Sequence, residues 1–259
     1  MVFPVGDDNS DRTLFPLVTI ALLVANVFVF VVLQQMGENE DFTLAYCQVP
    51  AEIISGRDVV TEPSQREVAV QGQRVQFTVP GLRPTPVPVW LTLFTAIFMH
   101  GSIMHLAGNM WFLWLFGDNV EDCMGHVRYL LFYLACGIIA SLAFVAFNAT
   151  GEAALTPCLG ASGAISGVLG AYLVLHPHRR VSVILLRMMV DVPGYVAVGI
   201  WFLFQVASGL FDPGGGGGGV AYSAHVAGFL AGMALAKPFS SAPARAEADP
   251  LVILRRRLG

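Results

Sequence analysis

One apolar segment opens with Gly160-Ala161-Ser162-Gly163-Ala164-Ile165-Ser166-Gly167-Val168-Leu169-Gly170, a stretch composed mostly of small residues. Small residues let the backbones of neighbouring helices approach closely in lipid, where packing rather than the exclusion of water drives association. The stretch also puts a hydroxyl group where a membrane helix would begin. A serine hydroxyl becomes an effective nucleophile only when a neighbouring base takes its proton, so the rest of the chain must supply that base.

The composition predicts an integral membrane protein. Of the 259 residues, 55% are apolar and only 12% are charged, and the mean hydropathy is +0.66, as expected for a chain surrounded by membrane lipid. The net charge is -4, and the sequence has no basic stripe of the kind that nucleic-acid binding requires. Nucleic acid is therefore excluded as a partner.

Apolar segments of helical length divide the chain into six predicted spans, which gives the class of an all-α polytopic membrane protein, a six-helix bundle. The predicted spans are residues 14–34, 91–116, 127–147, 160–176, 193–210 and 220–237. A polar N-terminal segment, 1–13, precedes the membrane domain 14–237, and a polar tail, 238–259, follows it.

The segments between the spans differ in character. The first extracytoplasmic loop, 35–89, is long and polar, and its alternating pieces are compatible with a short hairpin. A short acidic loop containing Asp118, Glu121 and Asp122 is expected between the second and third spans. The apolar segment 181–192 contains charged residues, so it is predicted to lie in the membrane interface rather than to cross.

Positively charged residues indicate the orientation. With six spans both termini lie on one side, and the segments on that side hold ten of the fourteen positive charges. Because such charges accumulate on the cytoplasmic side, both termini are expected there. No cleavage site follows the first apolar run, so it is interpreted as a retained helix. With neither a targeting peptide nor a large extra domain, the bacterial inner membrane is the expected location.

Four intramembrane polar residues fall at a similar predicted depth, and such residues indicate function by default. They are His105, Asn109, Ser162 and His225. His105 and Asn109 are four residues apart, so they share one helix face and could together stabilise an oxyanion. In the sixth span, glycines spaced four apart could bring that helix against the fourth, and His225 towards Ser162.

Each of these residues also has an ordinary structural interpretation. The hydroxyl of a serine in a membrane helix usually forms a hydrogen bond within its own helix. Spacing alone does not decide whether Ser162 or Ser166 would be the nucleophile. A histidine near a helix end usually packs or reaches the headgroups, which suits the remaining histidines. Metal sites are not expected, since His100 and His105 enclose no glutamate of a zinc-protease motif and the four cysteines form no CxxC pair.

Three motifs resemble those of rhomboid intramembrane serine proteases. The stretch from His100 to Asn109 resembles the His-x-x-x-Asn element, Gly160-Ala161-Ser162-Gly163 the Gly-x-Ser-Gly motif, and Ala224-His225-Val226-Ala227-Gly228 the final-helix histidine motif. The resemblance implies that Ser162, rather than Ser166, is the nucleophile and that His225 is the general base. It further implies an oxyanion hole formed by Asn109, His105 and the backbone N–H of Ser162.

The resemblance also implies transmembrane protein substrates and neither metal nor cofactor. In one departure, Ser166 stands where some members have an aromatic residue that stacks on the histidine. The fifth span and the glycine-rich loop 212–220 are expected to act as gate and cap, because that loop is the least constrained part of the chain. The alternatives are a catalytically silent rhomboid-like protein that binds membrane proteins, and a small-solute transporter, which would require inverted repeats not found here.

Overall fold

The computed structural model describes residues 3–70, 73–185, 188–211 and 221–240, so the loop 212–220 and the tail beyond residue 240 lie outside the described residues. The protein is mostly helical, and its six longest α-helices are α1 (Leu17–Phe28), α5 (Ile103–Met124), α6 (His126–Phe147), α7 (Ser162–Leu175), α8 (Gly194–Phe211) and α9 (Tyr222–Phe239). A π-helical turn, Val29–Leu33, extends α1. Shorter helices are α2 (Glu40–Tyr46), α3 (Pro50–Ser55) and α4 (Thr92–Thr95).

The prediction of one helix over 91–116 is wrong, because the segment is broken in two. Helical turns from Val89 to Phe98 meet α5 at an angle of 78°. The side chain of Gln34 satisfies the backbone at this break, since it accepts the N–H of His100 at 2.9 Å and donates to its carbonyl oxygen at 2.8 Å. Ser102 then caps α5 by accepting the N–H of His105, as serine commonly does at a helix start.

The acidic residues expected in a loop lie instead in the last turns of α5, which ends only at Met124. Glu121 is buried and accepts the backbone N–H groups of Val18 and Thr19, each at 2.8 Å. The first amides of a helix have no partner within it, so a carboxylate from α5 supplies the N-terminal cap of α1. The prediction of an acidic loop at these residues is therefore wrong, because their carboxylates are used inside the fold to bind the segment that starts α1.

Backbone-to-backbone packing joins α7 to α9. A Cβ atom at Gly228 would lie 2.1 Å from the carbonyl oxygen of Gly163, and one at Gly232 would lie 1.9 Å from that of Gly167. The close approach predicted from the glycines of the sixth span is therefore present. Most of α7 is buried between neighbouring helices.

In the part of the chain that the structure describes, two small antiparallel sheets accompany the helices. Strands β2 (Ser64–Val70) and β3 (Gln73–Val79) pair as the hairpin foreseen in the first loop. The segment predicted to lie in the interface, 181–192, forms a second hairpin of β4 (Arg180–Leu185) and β5 (Met188–Pro193), and β1 (Phe3–Asp7) pairs with β4. The buried side chains of Val181 and Val183 alternate along β4, which is the period of a strand.

The connecting segments gather into two groups at opposite ends of α6. Near its C-terminal end, where Gln48 also donates to the carbonyl oxygen of Ser141, Gln48 and Cys158 exchange two backbone hydrogen bonds of 3.0 and 2.8 Å. Near its N-terminal end, Arg12 pairs with Asp118, and the hydroxyl of Ser240 donates to the carbonyl oxygen of Cys123. Thus the first loop meets the loop after α6, whereas both described chain ends meet the last turns of α5, just before α6.

By length and composition, α6 can cross a bilayer by itself, and the bent pair of Val89–Phe98 with α5 is a second crossing if it is counted as one span. The other apolar helices in the described part of the chain are shorter. With 14 residues at about 1.5 Å per residue, α7 measures roughly 21 Å, less than the ~30 Å hydrocarbon core. Because α7 is enclosed by protein, it does not have to match the lipid.

Candidate active site

Ser162 and His225 come together at the starts of two helices. Ser162 is the first residue of α7, and His225 lies in the first turn of α9. The hydroxyl oxygen of Ser162 is 2.7 Å from Nε2 of His225, which is within hydrogen-bond distance. The backbone packing of α7 against α9 carries these two side chains into contact.

Ser166 occupies a different position. Its hydroxyl donates to the carbonyl oxygen of Ser162, one turn earlier on the same helix, at 2.6 Å, and the residue is fully buried. This is the ordinary bond of a serine within a helix. The structure therefore brings Ser162, and not Ser166, to the imidazole, a choice that spacing left open.

Gly160 shapes the entry to α7. Its φ angle is +131°, in the region that favours glycine. A Cβ atom there would lie 2.9 Å from Nε2 of His105 and 3.6 Å from the hydroxyl oxygen of Ser162. The missing side chain thus lets the ring of His105 lie against the backbone just before the serine.

The face of α5 carries His105 and Asn109, as their spacing predicted. Asn109 is held by a buried histidine, since its side-chain nitrogen lies 2.9 Å from Nε2 of His100. Nδ1 of His105 accepts the N–H of Gly101 at 3.4 Å. Sequence reasoning interpreted His100 as packed or as reaching the headgroups; it is fully buried, and its ring also contacts the amide of Asn109.

Gln205 completes the contacts of His225 and was missed. It lies on α8 with only 8% of its surface exposed, and its side-chain oxygen is 2.8 Å from Nδ1 of His225. The signal in the sequence was a strongly polar residue in an apolar span, the same one that identified the other four. Asn109 was found because it shares a helix face with His105, whereas no histidine accompanies Gln205 on α8.

All five side chains line one cavity of about 1430 Å³. This exceeds the roughly 300–1,000 Å³ of typical small-molecule pockets, so the cavity has room for more than a small solute. Trp201 and Tyr222 flank the imidazole, with ring centroids 6.4 and 6.5 Å from it. Among the described residues, the imidazole of His225 is thus bonded to Ser162 and Gln205 and lies beside these two rings.

The chemical groups of these five residues are a hydroxyl, imidazoles and amides. Among the residues that the structure describes, no three His, Cys, Asp or Glu side chains converge as metal ligands, and the four cysteines are free thiols. The arrangement can transfer a proton from a serine to an imidazole, and it offers N–H donors nearby.

Comparison with known proteins adds family evidence. The family model described as Rhomboid domain matches residues 88–242, more than half of the chain and all of the site. The protein named Rhomboid protease GluP, from Bacillus subtilis, is 36% identical over 153 residues, which cover 59% of this chain and 27% of GluP.

Two further relatives are named as mitochondrial proteins. Presenilin-associated rhomboid-like protein from Homo sapiens is 35% identical over 103 residues, covering 39% of this chain and 27% of that protein. Rhomboid protein 1 from Saccharomyces cerevisiae is 31% identical over 147 residues, covering 55% of this chain and 40% of that protein. The matched region thus spans between about a quarter and two fifths of the relatives' lengths.

Proposed function

The chain belongs to the rhomboid family, and we propose that it is an intramembrane serine endopeptidase, which hydrolyses peptide bonds in or near transmembrane segments of membrane proteins. The observation that carries this proposal is the 2.7 Å contact between the hydroxyl of Ser162 and Nε2 of His225. The contact lies in a cavity large enough for a peptide.

In the first step, the oxygen of Ser162 attacks the scissile carbonyl carbon while Nε2 of His225 takes the serine proton. The carbonyl oxygen becomes an oxyanion. His225 then gives its proton to the leaving amine as the peptide C–N bond breaks, and an acyl-serine remains. A water molecule, deprotonated by the same nitrogen, then attacks the acyl carbon, and the imidazolium returns that proton to the serine oxygen as the ester C–O bond breaks and the acid product leaves.

The oxyanion would be stabilised by donors from two helices. Ser162 is the first residue of α7, so its N–H belongs to the helix-start amides that have no partner in the helix. Asn109 and His105 add side-chain donors from α5, on which they share one face. Donors fixed before the reaction, in a site of low dielectric constant, stabilise charge without having to reorganise.

The proposed domain, residues 14–237, crosses the membrane six times, through α1, the bent α5 unit, α6, α7, α8 and α9. The grouping of the connecting segments supports this. Six crossings put the N-terminal segment, the 180–193 hairpin and the C-terminal tail on one side, and β1 does pair with β4. They put the first loop and the loop after α6 on the other side, where Gln48 pairs with Cys158.

The protein is integral to a membrane, and we place both termini in the cytoplasm, with the inner membrane of a bacterium as the proposed location. The excess of positive charge in the segments assigned to the terminal side supports this orientation. Fusing a reporter that is active only in the cytoplasm to each terminus in turn tests this orientation. We expect both fusions to be active. A translocated reporter at either end would overturn the topology.

The activity is tested on the full chain in proteoliposomes with a panel of single-span membrane proteins. We expect cleavage by the wild type and by Ser166→Ala, but none by Ser162→Ala or His225→Ala. A serine-directed fluorophosphonate should label Ser162 only when His225 is present. Cleavage that survives Ser162→Ala overturns the mechanism. A wild type that binds these proteins but neither cleaves nor reacts with the probe would instead be a catalytically silent binding protein.

A further inference from the structure

His225 has a second contact that the Ser–His pair does not explain. Nδ1 of His225 lies 2.8 Å from the side-chain oxygen of Gln205. Within the described residues, the hydrogen-bond partners of the two ring nitrogens are thus Ser162 and Gln205. Gln205 comes from α8, whereas the other two residues sit on α7 and α9, so a third helix contributes to the arrangement of the base.

We propose that Gln205 is a positioning residue for the base, an inference that rests on the proposed protease function. A neutral imidazole has one N–H donor and one bare nitrogen, and a carbonyl oxygen can only accept. The oxygen of Gln205 therefore fixes the proton on Nδ1 of His225. The bare Nε2 then faces the hydroxyl of Ser162, which is the tautomer that can take the serine proton.

The opposite orientation of the amide would be unproductive. If the NH₂ group of Gln205 faced Nδ1, the ring proton would sit on Nε2 and point at the serine oxygen, where no proton could be accepted. The carbonyl orientation also keeps its bond after Nε2 is protonated, because Nδ1 still donates. Its dipole then faces the positive charge of the imidazolium.

A neutral amide suits this location. In soluble serine proteases a buried carboxylate orients the histidine and stabilises its charged form. A carboxylate within a bilayer is costly, whereas an amide that keeps a hydrogen bond is not. Gln205 is 8% exposed, and burying it unpaired would be unfavourable, so the contact with His225 should persist between turnovers.

Trp201 strengthens the assignment because it precedes Gln205 by one helical turn. Residues four apart share a helix face, and the ring of Trp201 lies 6.4 Å from that of His225. One face of α8 therefore supplies both the acceptor for the imidazole and an aromatic neighbour beside it.

The test replaces Gln205 in the full chain and measures kcat and KM on a substrate cleaved by the wild type. Gln205→Met has similar length but no acceptor of comparable strength. We expect kcat and the rate of fluorophosphonate labelling to fall by about ten- to a hundredfold, less than the roughly 10²–10⁴-fold contribution of a general base itself. KM should stay within about twofold, since the residue acts on the base rather than on substrate binding.

Gln205→Glu supplies the rescue, because it keeps an oxygen acceptor for Nδ1 and should retain more activity than Gln205→Met. Leu203→Met is the matched control, since Leu203 lies on the same helix and is 67% exposed; its kinetics should equal those of the wild type. Thermal unfolding of each variant separates lost positioning from lost folding.

The inference is overturned if Gln205→Met keeps the wild-type kcat, if only KM changes, or if a folded Gln205→Glu is as slow as Gln205→Met. If Gln205→Met does not fold, the test rests on Gln205→Glu. That variant keeps an acceptor for Nδ1 of His225, so the inference requires it to cleave the substrate. Full activity of the Gln205 variants beside inactive Ser162→Ala and His225→Ala leaves the protease function standing. If the wild type cleaves none of the substrates, both the protease function and the positioning role of Gln205 are overturned.

Discussion

Helix α9 carries the imidazole of His225 and helix α8 carries its partner Gln205, but the two helices are held in the fold in different ways. The tight pair, α7 and α9, meets backbone to backbone: a Cβ atom at Gly170 would lie 2.1 Å from the carbonyl oxygen of Phe229. Helix α8 packs through side chains, such as the ring of Phe202, which stacks on that of Phe229 at 4.2 Å. At Gly199 of α8, a Cβ atom would meet nothing within 4 Å.

This difference separates two functions. Interlocked backbones cannot slide without breaking many contacts at once, because close-packed interfaces are not continuously deformable, so the tight pair fixes the Ser162–His225 separation. Side-chain packing tolerates small rearrangements. If a substrate helix displaces any element, we expect it to be α8, in agreement with the gate predicted for the fifth span. The contact of Gln205 with His225 would then form only when α8 is in place.

The largest expected effect breaks the tight pair itself. In Gly232→Ala the new methyl group would lie 1.9 Å from the carbonyl oxygen of Gly167, and backbone cannot turn aside as a side chain can. Overpacking costs about 1–3 kcal/mol even where side chains can move, so we expect strongly lowered thermal stability and no detectable cleavage. A variant that unfolds and cleaves like the wild type would show that the two helices are not interlocked.

A smaller loss of activity should follow when a hydrogen-bond donor of the site is removed and the packing of α7 against α9 is left intact. Asn109→Ala deletes a proposed oxyanion donor on α5, and loss of one such donor lowers kcat by roughly a hundredfold or more. Measurement of kcat and KM distinguishes this from substrate binding, since KM alone would rise if Asn109 only contacted substrate. Ile103→Ala, an exposed position on the same helix, is the control and should leave kcat unchanged.

The sequence predicted more of the tight pair than of α8. Glycine spacing four apart pointed to the close approach of α9, and motif resemblance selected Ser162 over Ser166. The role of Gln205 could not be found this way, because the residue that meets it, His225, lies twenty positions away on another helix. Likewise, the bend before α5 depends on Gln34, sixty-six positions from His100. Such distant partners leave no local periodicity.

A third prediction concerns how the tight pair is anchored at its far end. The hydroxyl of Tyr172, near the end of α7, lies 3.3 Å from a carboxylate oxygen of Asp7 in β1. Burial raises the pKa of Asp7 to about 7 from its ordinary value of 3.8; the nearby carboxylate of Asp118 adds to the increase, and the charge of Arg179 opposes it.

The folded protein therefore holds the Asp7 proton more tightly than the unfolded chain. The resulting stability is complete below the ordinary pKa and is lost as the pH rises through about 7. Asp7→Asn should remove this dependence, so the unfolding temperature of the variant minus that of the wild type should increase from pH 5 to pH 8. A difference that stays constant over this range would contradict the elevated pKa.

The smallest expected effect lies on the other side of the comparison, in Gly199→Ala. The substitution is the one made at Gly232, but the methyl group would enter open space. Alanine is favoured over glycine inside a helix by about 0.5–1 kcal/mol, so stability should be unchanged or slightly raised and kcat should stay within about twofold. Losses comparable to those of Gly232→Ala would mean that α8 is held as rigidly as α9. In that case α8 could not yield to a substrate, and Gln205 would be fixed on the imidazole throughout the reaction.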